Sequence, residues 1–265
     1  PKGASETVLI VGAGPTGLEA ALQAARRGYT VTLAEATTTL GGRVAKERTL
    51  PGLSAWGRVS DYRTGQLGPM PNVEIYRDSP LAPEDLLAMG ADHIAIATGA
   101  TWRRDAVARL HLHGVPTDPR MPLFTPDDLM AGLCPEDQTV TLYDDDHYYM
   151  GSVLAELLVQ KGNRVHFVTP AVKVAEWTDN TLEQGTIMRR LLELGVEIHL
   201  SKAPEAIGAK EVTLGCTWTG RQTTLPTEAV VHVTSRIPND QLFHATKALD
   251  WQAQGIRTLT LIGDA

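Results

Sequence analysis

Cysteine is nearly absent: Cys134 and Cys216 are the only two in 265 residues, and they form no Cys-x-x-Cys pair. A secreted disulfide scaffold is thereby excluded, as is a cysteine ligand set for an iron–sulfur or zinc centre. Positive charge is also short. Lys and Arg number 24 against 31 Asp and Glu, giving a net charge of −7 with no basic block, so the chain is not built to track a phosphate backbone and nucleic acid is not an expected partner. No apolar run approaches the ~18–20 residues of a membrane span. No signal peptide is present, and the cytoplasm is the expected compartment. Nucleophile sets are missing too: Gly-x-Ser-x-Gly does not occur, and neither cysteine has a base beside it. The histidines are scattered. His166 and His199 fall on expected strands and read as structural, while His111-Leu112-His113 lacks carboxylate or cysteine support. No catalytic residue and no metal ligand is assigned.

What remains is an ordinary globular composition in a chain long enough to bury a core without staples. Short apolar, β-branched runs alternate with amphipathic stretches, the mark of an α/β fold with parallel strands. Strands are expected at 7–11, 30–34, 72–76, 93–98, 139–143, 164–169, 196–200, 230–234 and 258–262, with a hairpin of 211–217 and 222–226 around Thr219-Gly220. Helices are expected at 17–28, 83–89, 152–161 and 182–194, with an amphipathic piece at 56–67. Segment 102–126 carries several prolines and no period, and reads as a crossing between domains. A shift of 134 residues places 7–11 on 141–145, Gly17 on Gly151, Gly28 on Gly162 and Val31 on Val165. Two copies of one strand–helix–strand unit follow. The expected architecture is two Rossmann-like, FAD/NAD(P)-binding-type three-layer domains, the second inserted into the first. Their expected extents are 1–105 plus 250–265, and 106–249. The opening on Pro1 in place of Met and the close at Gly263-Asp264-Ala265 read as cut ends.

Gly12-Ala13-Gly14-Pro15-Thr16-Gly17 fits Gly-x-Gly-x-x-Gly and stands where that pattern has meaning, between a strand and a helix. Gly12 permits the tight turn, Gly14 lets backbone approach a pyrophosphate, and Gly17 lets the helix pack on the strands. The helix start at Pro15 and Thr16 offers free N–H groups and partial positive charge to phosphates. Glu35, followed by Ala36, lies 18 residues past Gly17 at the end of the second strand. A carboxylate there can accept both ribose hydroxyls and repel a 2′-phosphate. An adenosine diphosphate moiety is therefore expected here, with FAD, NAD and bare ADP left open.

The second turn is degenerate. The shift puts Asp146 where Gly12 stands, Tyr148 where Gly14 stands and Thr169 where Glu35 stands; only Gly151 survives. Asp144-Asp145-Asp146 brings up to three carboxylates beside the place of a pyrophosphate, at a cost of several kcal/mol in a partly buried cleft. Tyr148 fills the gap that Gly14 leaves open. This half is not expected to bind NAD(P)H, although a solvated acidic loop with a shifted turn is the alternative.

Gly41-Gly42-Arg43, Thr98-Gly99 and Gly263-Asp264, in that order and each near a strand end, resemble the flavoproteins with two dinucleotide-binding domains. Further segments are more specific: Leu50-Pro51-Gly52-Leu53 with Trp56, Asp61-Tyr62-Arg63, Ile96-Ala97-Thr98-Gly99-Ala100, Asp146-x-Tyr148-x-Met150 and Leu261-Ile262-Gly263-Asp264-Ala265. On these the chain resembles, nearly end to end, the C-terminal portion of the trimethylamine dehydrogenase family, which includes dimethylamine and histamine dehydrogenases and related N-demethylases. The resemblance implies a longer protein, in which a TIM barrel with FMN and a cysteine cluster for a 4Fe–4S centre precede two nucleotide-binding-type domains. It implies ADP rather than FAD in the first domain, no pyridine nucleotide in the second, and an electron-transferring flavoprotein as external acceptor. It also carries Gly42, Arg43, Thr98, Gly99, Gly263 and Asp264 into the cofactor site. The related 2,4-dienoyl-CoA reductases keep glycines in the second turn and use FAD and NADPH; this chain departs from them there. Where the family has Thr-Gly-Arg late in the second domain, this chain has Thr234-Ser235-Arg236, and Ser235 tightens that turn. The expected function is an ADP-holding module of an amine dehydrogenase or N-demethylase, without turnover by itself. The alternatives are an FAD-dependent NAD(P)H oxidoreductase module and a scaffold with an empty fold.

Overall fold

A computed structural model describes residues 5–265. The chain begins β1 (Thr7–Val11), α1 (Pro15–Arg26), β2 (Thr30–Ala34), α2 (Arg43–Glu47), α3 (Arg58–Leu67), β3 (Val73–Tyr76), α4 (Pro83–Ala88), β4 (His93–Ile96) and β5 (Ala100–Trp102). It continues β6 (Leu123–Phe124), α5 (Pro126–Met130), β7 (Thr139–Asp144), α6 (Tyr149–Gln160), β8 (Arg164–Val168), α7 (Gln184–Glu193) and β9 (Glu197–His199). Then come β10 (Lys202–Ile207), β11 (Glu211–Cys216), β12 (Gln222–Pro226), β13 (Ala229–Val233), β14 (Arg236–Pro238), α8 (Gln241–Lys247) and β15 (Thr258–Leu261). Two compact units divide these elements. The first holds residues up to Thr49, Leu53–Thr101 and Pro238–Ala265; the second holds Leu50–Gly52 and Trp102–Ile237.

The first unit is a parallel sheet in the order β15-β4-β1-β2-β3. Its central strand β1 is apolar on both faces, as a parallel strand covered on both sides must be. Ile10 and Leu33 pack with Leu18, Ala21, Leu22 and Ala25 of α1 and Leu67 of α3. Leu9, Val11, Ile94 and Ile96 pack on the other face with Leu86 of α4. Because β1 is flanked by β2 on one side and β4 on the other, the direction of winding reverses at its carboxyl end. Open α/β sheets bind ligands at such a switch point.

The second unit repeats the plan with β7 in the central place, in the order β6-β13-β7-β8-β9. An antiparallel sheet, β10-β11-β12, shares a core with it through Tyr143, Val168, Ala203, Ile207, Val212, Leu214 and Val230. The 134-residue offset holds to the residue: α1 starts at 15 and ends at 26, α6 at 149 and 160; β2 runs from 30 to 34, β8 from 164 to 168.

Some elements differ from the sequence expectation. Both glycine-turn helices begin two or three residues earlier than apolar period suggests, because Pro15 and Tyr149 open them. The 182–194 helix starts only at Gln184; Leu182 is 91% exposed and left-handed, φ +63°. The expected hairpin has a third strand, β10, and α8 was not expected. Among the described residues, no helix is long and apolar enough to cross a membrane.

Candidate functional site

At the end of β1 the backbone must pass directly from strand to helix, and three glycines make that turn. Gly12 sits at φ +101°, and a Cβ there would lie 2.5 Å from the Ala97 carbonyl oxygen. A Cβ on Gly17 would come within 1.8 Å of the Gly12 carbonyl oxygen, so α1 rests on the backbone of the turn itself. The fold alone demands glycine at both positions. Gly14 is different. Its φ of −70° and ψ of −178° are ordinary extended backbone, and a Cβ on it would meet nothing within 4 Å. Nothing within the first unit requires a glycine there.

Gly14 also precedes an uncapped helix. The N-cap residue Gly14 gives α1 no side-chain cap, Pro15 occupies its first position and no acidic residue stands in its first turn. The positive end of the helix dipole is left for an anion supplied from elsewhere.

The remaining sequence-predicted residues gather around this turn. Glu35, 9% exposed, accepts from the Ala13 N–H at 2.8 Å through Oε2 and from the Thr37 N–H and hydroxyl at 3.0 and 2.8 Å through Oε1. Its carboxylate is thus clamped in the turn, while Oε2, with one donor, keeps capacity for a hydroxyl. Ala36 beside it is exposed. Gly42 lies at φ +54°, and a Cβ there would approach the Gly14 Cα to 2.9 Å. Gly41 N–H donates to the Ala13 carbonyl at 2.8 Å, so the 41–43 loop closes over the first turn. Arg43 begins α2 and its guanidinium donates to the Ala100 carbonyl. Thr98 and Gly99 follow β4; the Thr98 hydroxyl donates to the Asn239 carbonyl at 2.6 Å, and Asn239 N–H donates to the Gly99 carbonyl at 2.8 Å. Gly263, φ +80°, abuts Thr16, whose Oγ1 would lie 2.7 Å from an added Cβ; Asp264 next to it is exposed. Thr37 and Asn239 were not singled out from sequence. The signals were a hydroxyl two residues after the strand-end carboxylate and an Asn after Pro238, both turn chemistry.

The second unit builds its turn from acids. Asp144 ends β7 fully buried, and its Oδ1 accepts the N–H groups of Asp146 at 3.2 Å and His147 at 3.3 Å. Asp145, 1% exposed, accepts from the Leu110 N–H at 3.0 Å and pairs with His147 Nε2 at 2.9 Å. This corrects the alternative of a solvated loop: of the up to three carboxylates expected beside the turn, two are buried and engaged by their own donors. The left-handed residue moves from the Gly12-aligned Asp146 to His147, φ +64°. Gly151 keeps its place for a new reason. A Cβ on it would lie 2.8 Å from the Asp144 Cγ, so the glycine makes room for a carboxyl group rather than for backbone. Tyr148, expected to fill the gap opposite Gly14, stands as the N-cap residue of α6, 36% exposed and edge-on to Tyr149. Ser235 fastens its turn by donating to the Val107 carbonyl at 2.5 Å.

Burial pushes the Asp144 carboxyl up to about 7. Burial pulls His147 down, but the Asp145 hydrogen bond and the Asp144 charge outweigh it and lift the imidazole above its ordinary value. Asp144 therefore occupies, from within, the donors at the head of its turn that the first unit leaves to other partners.

Comparison with known proteins gives this site a context. A family profile described as FAD dependent oxidoreductase matches residues 7–66, and one described as OYE-like second alpha/beta domain matches residues 124–220. Dimethylamine dehydrogenase of Hyphomicrobium sp. (strain x) is 32% identical over 292 residues, covering 100% of this chain and 40% of that protein. The structure of histamine dehydrogenase from Rhizobium sp. 4-9 superposes with a TM-score of 0.97 at 54% identity, covering 99% of this chain and 41% of that one. That of 6-hydroxypseudooxynicotine amine oxidase from Pseudomonas geniculata N1 gives 0.95 at 42% identity, covering 100% and 40%. The chain spans about 40% of the length of these relatives.

Proposed function

Because this chain belongs to the C-terminal, nucleotide-binding-type part of the trimethylamine dehydrogenase family, we propose that its first unit holds ADP as a fixed ligand. The observation that carries this reading is Gly14, a glycine that neither backbone strain nor packing explains, at the head of a helix without a cap. A pyrophosphate against Gly14 supplies the anion that α1 lacks, with the ribose on Glu35 and the 41–43 loop closing the other side. ADP carries no redox group, so the module orders and braces rather than reacts. FMN and a 4Fe–4S cluster belong, on this reading, to an N-terminal TIM-barrel portion of an amine dehydrogenase or N-demethylase. An electron-transferring flavoprotein is the external carrier. The second unit takes no pyridine nucleotide, since Asp144 already engages the Asp146 and His147 donors of its turn and Asp145 is buried beside it.

One finding favours a second reading, FAD in the same place: the profile over residues 7–66 is that of FAD dependent oxidoreductases. Releasing the bound nucleotide from purified protein and weighing it by mass spectrometry separates the two. ADP without flavin is the expected result, and FAD replaces that assignment. An empty site that gives no calorimetric heat with ADP, FAD or NAD removes both.

A further inference from the structure

Two histidines read from sequence as structural come together with a carboxylate in the second unit. β8 and β9 pair in parallel with His166 opposite Glu197 and Val168 opposite His199. Side chains alternate along a strand, so residues 166, 197 and 199 must share one face of the sheet. His166 Nδ1 lies 3.2 Å from His199 Nε2 and 3.3 Å from Glu197 Oε2, and one ligand atom from each residue falls within 4.8 Å of the others.

A zinc-sized ion binds imidazole nitrogen and carboxylate oxygen at ~2.0–2.1 Å, and the edge of a tetrahedron at that radius is about 3.3–3.4 Å. The two edges here, 3.2 and 3.3 Å, lie close to that value. A hydrogen bond between the imidazoles accounts for one edge only, because a single Nδ1 proton then faces both His199 and Glu197. We propose that His166, Glu197 and His199 form a three-ligand site for a borderline divalent cation of the zinc class, joining edge strand β9 to β8.

The surroundings suit that ion. Arg164 Nε donates to Glu197 Oε1 at 2.9 Å, and its Nη2 reaches the same oxygen, which leaves Oε2 to the His166 side. Such outer partners orient ligands in metal sites. Glu197 is 43% exposed and β9 is the sheet's edge, so an ion has a way in, while His166 closes the back at 6%. Two cations stand near, Arg164 on Glu197 and Lys202 on the strand that follows, where its ammonium donates to Thr223. They oppose a hard ion held by charge and oxygen, such as magnesium or calcium. Imidazole nitrogens select zinc, copper or nickel instead.

Cobalt(II) is the probe, since it substitutes for zinc and a tetrahedral site gives it strong visible bands. Titrating it into the 265-residue chain is expected to produce those bands, and added zinc to abolish them. His199→Ala and Glu197→Gln should each weaken binding by more than the ~10–100-fold typical of losing an outer partner, while His244→Ala, at an exposed helix position, should change nothing. Circular dichroism checks folding. Glu197, being partly exposed, decides the matter if His199→Ala does not fold. Absence of tetrahedral bands in the parent chain, or bands that survive Glu197→Gln unaltered, overturns the site.

Discussion

The two strand–turn–helix units are a matched pair in length and an opposed pair in chemistry. In the first, the turn is made of glycines, the helix has no cap, and the strand-end carboxylate of Glu35 reaches across to hold the Ala13 N–H. In the second, the carboxylate comes from inside the turn, where Asp144 gathers the Asp146 and His147 N–H groups. The difference teaches that the turn before a helix has two solutions: its N–H groups are met by a carboxylate from the next strand, or by a carboxylate within the turn itself. Gly17 and Gly151 occupy the same place in the repeat, yet one makes room for backbone and the other for a carboxyl.

The contrast can be broken most severely at Gly17. Gly17→Ala puts a methyl within 1.8 Å of a carbonyl oxygen that cannot step aside, and a loss of about 3 kcal/mol or more in denaturant unfolding is expected. Gly14→Val, facing open space, should leave that stability intact while weakening ADP by roughly 100-fold, about 3 kcal/mol, in calorimetry. Equal affinity would move the phosphates elsewhere.

The partner substitution, Gly151→Ala, meets a side chain instead of backbone and should cost about 1–2 kcal/mol. Paired with Asp144→Ala, it should cost less than the sum of the two single losses, because the clash is between those two groups.

Asp144 adds a pH test. Its carboxyl titrates at about 7 when folded and near ~3.9 when unfolded, so between those values the folded chain keeps a proton that the unfolded chain has lost. Its contribution is complete below about pH 4 and disappears as pH rises through about 7. Asp144→Asn should flatten this part of the stability profile, seen as a smaller drop in Tm between about pH 5 and about pH 8. The smallest effect belongs to Asp146→Gly with Tyr148→Gly. Both positions belong to the second unit, and ADP affinity should stay within about twofold.

Much of this was legible in the chain. The parallel strands and the helix after each turn announced themselves because an apolar strand followed by a glycine at a fixed offset has few other readings. β10 escaped because Pro204 and Glu205 interrupt its period at a bulge between Pro204 and Ala206. α8 escaped because it buries only Thr246 and so shows no apolar stripe. The acidic run was read correctly as chemistry and wrongly as geometry, since sequence gives the charges of 144–146 but not which of them find donors. The convergence of His166 with His199 was hidden for another reason: register between β8 and β9 depends on the intervening 169–196 segment, and no local pattern encodes it.

A turn that carries its own acceptor behaves differently from one whose proposed partner is a separate solute. With Asp144 covalently in place, the N–H groups of Asp146 and His147 are met as soon as the turn closes, whatever the adenylate supply. If the first unit holds ADP as proposed, starvation for nucleotide should register as softening around Gly14 and leave the neighbourhood of Gly151 untouched.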